Sequence, residues 1–129
     1  MKNQFPTVPL HRSAMEHAQE AVLTQDPLRA RELFRSAFEL ERRAAELWAE
    51  TYGEEPTRSV LYRSAASLAR DCCDYAEAER LVRKGLAGRP PGTIARQLEE
   101  LLDLVYQEAP SLKARQEPHP SHRRRSVGK

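Results

Sequence analysis

Aromatic side chains are scarce in this chain: one tryptophan, four tyrosines and three phenylalanines, 6% of 129 residues. A core with so few rings must be built from aliphatic side chains and alanine, which suits closely packed helices better than a β-sandwich. Cysteine is limited to the neighbours Cys72 and Cys73. Adjacent cysteines make a strained disulfide, and no second pair exists to complete a metal site, so a disulfide scaffold and a zinc centre are both disfavoured. The pair reads instead as small buried hydrophobes near a helix turn. No apolar run approaches the ~20 residues that span a bilayer, and Met1 to Pro6 lacks the apolar stretch of a secretory signal. The expectation from these absences is a cytoplasmic protein that does not enter membranes. Chemistry-bearing motifs are missing too: there is no glycine-rich phosphate loop, His-Glu zinc motif or nucleophile elbow. His11 and His17, six residues apart, do not share a helix face. The chain is therefore expected not to be an enzyme and to carry no cofactor.

What is present is charge and helical periodicity. Charged residues make up 31% of the chain, with a net charge of +2. The balance is uneven, because residues 108–129 hold six basic and two acidic side chains, a local +4 that leaves the remainder at −2. Apolar positions recur at three- and four-residue intervals over five stretches. The first runs from Pro9 to about Gln25. Asp26-Pro27 then supplies an N-cap and a first-turn proline for a long second helix, to about Thr51. A third helix is expected from Pro56 to Cys72. A fourth follows Asp74, whose spacing to Glu77 is that of a capping box, and ends at Gly88 in a left-handed conformation. The fifth spans Pro91 to Gln107, with Ile94, Leu98, Leu101, Leu102 and Val105 as one stripe and Glu99, Glu100 and Asp103 facing water. Residues 1–8 read as an extended arm, 9–108 as the helical domain, and 109–129 as a disordered basic tail.

The stretch Ser59 to Pro90 reads as two helices folded back on each other, with Ala65, Ala66 and Ala69 on one and Ala78 and Gly85 on the other. Aligning Asp26-Pro27 with Asp74-Tyr75 places Ala18 on Ala66, Ala21 on Ala69, Ala30 on Ala78, Phe34 on Val82 and Ala37 on Gly85. Small residues at these crossings let helix backbones approach closely, and Pro90 follows the second helix. In this pattern the chain resembles the tetratricopeptide repeat (TPR) family over roughly residues 11–90. The copies are offset by 48 residues where the family period is about 34, because the second helix runs on for about three extra turns. The resemblance implies an all-α fold in which antiparallel hairpins stack as a short right-handed superhelix, about five helices in all. It also implies a non-catalytic adaptor that holds a peptide or protein partner in a groove.

In that family each repeat's first helix lines the groove. The resemblance therefore assigns Arg12, Met15, Gln19 and Val22 from the first helix, and Arg63, Ser67 and Arg70 from the third. Arg63 and Arg70 share one helix face and could grip carboxylates in a bidentate manner. The asparagines of carboxylate-holding relatives are replaced by Glu16 and Ser64. Trp48 and Tyr52, four apart on one face, form a second candidate contact. Arg123, Arg124 and Arg125 offer salt-sensitive, sequence-independent contact with a polyanion such as nucleic acid, without interleaved aromatics for base stacking. His119 and His122 lack a third metal ligand. The wide apolar face of the second helix also allows a structural subunit of a homo- or hetero-oligomer.

Overall fold

A computed structural model describes residues 6–116. Among these, every regular element is a helix: α1 (Thr7–Leu23), α2 (Pro27–Thr51), α3 (Thr57–Asp71), α4 (Tyr75–Leu86), α5 (Gly92–Glu108) and α6 (Pro110–Gln116). Each helix packs on the next in sequence, and α3 also touches α5. Short connections join successive helices.

The helix starts follow local chemistry. Asp26 accepts a hydrogen bond from the Leu28 amide at 3.1 Å, and Pro27 occupies the first turn of α2. Asp74 caps α4 by accepting from the Glu77 amide at 3.3 Å. The start of α3 is held differently. Glu55 accepts from the Ser59 amide at 3.1 Å and from the Arg89 amide at 2.9 Å. Its neighbour Arg58 donates to the carbonyls of Lys84 and Gly85. One ion pair thus ties the entry of α3 to the exit of α4.

Alanine makes the close contacts. Ala14 on α1, Ala37, Ala44 and Ala45 on α2, Ala65, Ala66 and Ala69 on α3, and Ala78 on α4 are all buried. Leu33, Phe38, Leu61, Tyr62, Leu81, Val82, Leu98 and Val105 fill the space between them. The apolar surface of α2 is wide because α1 covers one side and α3 the other. Gly85 is set by close approach: a Cβ there would lie 3.0 Å from Leu98 Cδ1 and 3.3 Å from Tyr62 Cβ.

Several expectations are corrected. Helix α1 begins at Thr7, so Thr7 and Val8 are not part of an extended arm, and Pro9 sits in its first turn, where its missing amide costs nothing. The body does not end at Ala109. Residues 110–116 form α6, whose Leu112 joins the core, so the described residues form six helices and the expected disorder does not begin at 109. Gly88 does not adopt a left-handed conformation. The left-handed residues are Gly53, at φ 70°, after α2, and Cys73, at φ 61°, in the turn between α3 and α4, and Cys73 is exposed rather than buried. Gly88 is explained by space instead: a Cβ there would press into the Arg58 guanidinium and the Glu55 carboxylate.

Candidate functional site

Side chains of α1, α3 and α5 line one depression, and side chains of α1, α2 and α3 line a second. The larger, of about 510 Å³, has an apolar floor of Met15, Ala18, Leu68, Leu101 and Leu104 and a rim that includes Arg63, Ser67, Arg70 and Glu100. The smaller, of about 440 Å³, lies between the N-terminal ends of α1 and α3 and is walled by Val8, Trp48, Pro56, Val60 and Leu61, with His11 at its edge.

The candidate residues divide between these features. Arg63, Ser67 and Arg70 line the larger depression together with Met15. Arg12, Gln19 and Val22 are exposed on α1 but do not line it. The two arginines are already engaged. Arg63 donates to Gln97, and Arg70 makes a two-pronged contact with Glu108, Nε to Oε1 at 3.0 Å and Nη2 to Oε2 at 2.6 Å. The pairing draws the Glu108 carboxyl below its ordinary value and raises Arg70 above its own. The bidentate grip anticipated for a foreign carboxylate is thus made with one from α5, and it crosslinks α3 to α5.

Trp48 faces the smaller depression and packs on the core, with its indole N–H donated to the Glu54 carbonyl at 3.0 Å. Tyr52 stacks obliquely on it, ring centres 4.7 Å apart at 44°. Arg123, Arg124 and Arg125, with His119 and His122, lie outside the described residues.

Sequence reasoning missed the most unusual polar group. Glu41, midway along α2, has no exposed surface. Its two oxygens accept from His11 Nδ1 of α1 at 2.9 and 2.8 Å, and the Ser64 hydroxyl of α3 reaches the same carboxylate. Burial pushes the Glu41 pKa up, and these two donors pull it part of the way back. Of the two residues beside this group, His11 lines the smaller depression and Ser64 the larger. Its only trace in the sequence is a glutamate between apolar positions 37, 38, 44 and 45.

Among the described residues, no helix is long and apolar enough to cross a membrane, and no cluster of three or more His, Cys, Asp or Glu side chains could hold a metal ion. No family model matches this chain, and no curated protein or solved structure matches it either.

Proposed function

We propose that this chain is a non-catalytic protein-binding module of TPR-like build, whose α1/α3/α5 face holds a segment of a partner protein. The supporting observation is the larger depression, in which three non-consecutive helices converge on an apolar floor with a charged rim. Its size falls in the ~300–1,000 Å³ range of sites that enclose a ligand. Leu104, left 38% exposed on this floor, gains from being covered. The helices are fixed by their own core, so binding demands little ordering of the backbone.

The reading is tested by Ser67→Trp, an exposed position whose enlargement fills the depression without touching the core. Affinity capture from the native cell should recover a partner with the wild-type chain and lose it with this variant, while the helical circular dichroism stays the same. Equal capture by a folded Ser67→Trp chain contradicts the proposal.

A second reading, a subunit that assembles through its apolar surface, is favoured by the tip of the α1–α2 hairpin. Val22, Leu23 and Leu28 are 71%, 69% and 67% exposed there. Light scattering over a range of concentrations separates the two: a constant monomer mass removes the self-association reading.

A further inference from the structure

The smaller depression has a polarity that its apolar walls do not suggest. Val8, Trp48, Pro56, Val60 and Leu61 offer no free hydrogen-bonding side-chain atom, because the Trp48 N–H is committed to the Glu54 carbonyl. The polar side chains at this slot are Thr7, Thr57 and His11. Of these, His11 has its orientation fixed from behind. Its Nδ1–H is donated to both oxygens of the buried Glu41 carboxylate, at 2.9 and 2.8 Å. A neutral imidazole with its proton on Nδ1 presents Nε2 as an acceptor, and Nε2 has no protein partner among the described residues. The slot therefore pairs an aromatic wall with one oriented acceptor, held from behind by the immobile Glu41 side chain. That arrangement complements a flat apolar group whose polar atom is a donor. Indole fits both requirements, since its N–H only donates, and a slot of about 440 Å³ has room for its two rings.

We propose that this slot receives an indole side chain of a partner protein, packed against Trp48 with its N–H donated to Nε2 of His11. The proposal rests on the protein-binding reading for the origin of the indole. His11 of this slot and Ser64 of the larger depression both neighbour Glu41. From position 8 to position 18 of α1 is about 15 Å, a span that four to five extended residues would cover. A single bound segment could thus occupy both depressions.

The test uses the whole chain with free indole and 1-methylindole, which differ in the donor. Trp48 is the only tryptophan, so one indole cross-peak in an ¹⁵N-correlated spectrum of labelled protein reports on the slot. Indole should shift this peak saturably and bind about fivefold more tightly than 1-methylindole, the effect of one net hydrogen bond. In the double variant His11→Leu/Glu41→Met both polar partners are replaced, so no buried carboxylate is left unpaired. Both probes should then bind with a ratio close to one. Val60→Phe, which fills the slot from α3 and leaves Trp48 the only tryptophan, should abolish binding of both. The proposal is overturned by a wild-type chain that shows no saturable shift, by equal binding of the two probes to wild type, or by a fivefold ratio that survives in the double variant. Because free indole needs no partner protein, its failure leaves the Ser67→Trp capture result standing, and the reverse also holds.

Discussion

The single residues that matter most here are those with least room to change. Gly85 has Leu98 Cδ1 at 3.0 Å and Tyr62 Cβ at 3.3 Å from where a Cβ would stand. Gly85→Ala would gain about 1 kcal/mol of helix propensity, but overpacking a closed core costs about 1–3 kcal/mol. Leu98 and Tyr62 are themselves buried and cannot retreat freely. The expected outcome is a net loss of about 1 kcal/mol by urea unfolding; a gain would show that the α3–α4–α5 junction is looser than described. Glu41 makes the opposite kind of case. Removing only its partner, as in His11→Ala, leaves a buried carboxylate with one donor fewer. Because His11 is half exposed, the expected loss is about 2 kcal/mol rather than the full cost of stranding a charge. Replacing both, as in His11→Leu/Glu41→Met, should be neutral within about 1 kcal/mol. Stability should also carry the mark of Glu41 in its pH dependence. Its folded pKa is raised above the ordinary 4.5, so its contribution is complete below that pH and is lost as pH rises through the folded value. Glu77 and Glu108 are shifted down and act in the reverse sense, losing their contribution as pH falls. The comparison that isolates Glu41 is wild type against Glu41→Gln: the wild type's relative stability should decline as pH rises above 4.5 and level off once the folded group has ionised. A flat difference would mean that Glu41 titrates as it does in the unfolded chain.

At the scale of elements, five of six helices were legible in the sequence, because alanine and leucine at three- and four-residue spacing leave few alternatives, and Asp26 and Asp74 mark two starts. What could not be read has physical reasons. Helix α6 presents a single large apolar residue, Leu112, among proline, serine and basic side chains; seven residues are too few to be helical alone and gain their order from packing on α5. The entry of α3 is capped by a glutamate that precedes its proline, a device outside the usual Ser, Thr, Asp or Asn signature. Glu41 was hidden by composition, since a glutamate on a helix rich in arginine and glutamate reads as solvent-facing until the partner, thirty positions away on α1, is in place. Cys73 misled because adjacent cysteines suggest burial, whereas this turn needs a left-handed residue. The role of α6 gives a clear contrast of truncations. Compared with a chain ending at Gln116, one ending at Glu108 uncovers the core beneath Leu112 and should lose about 2 kcal/mol. Identical melting of the two would remove α6 from the folded unit.

The whole molecule is asymmetric in a way that bears on the proposed docking of a partner. Asp74, in the turn between α3 and α4, meets α2 at Arg35, 3.5 Å away. The first two turns of α2, about 12 Å of helix, run on past this point together with the end of α1, which leaves Val22, Leu23 and Leu28 at the exposed tip. Helix α1 also lines the larger depression with α3 and α5, where Met15, Leu68, Leu101 and Leu104 are joined by Arg70 and Gln97. Binding along α1, α3 and α5 is the central claim, and its most direct test is a footprint. Backbone amide shifts of the labelled chain, recorded with and without the captured partner, should move around Met15, Ser67 and Leu104. Those on the outer sides of α2 and α4, such as Arg31 and Lys84, should stay in place. Shifts confined to α2 and α4, or to the tip around Leu23 and Leu28, would contradict the account.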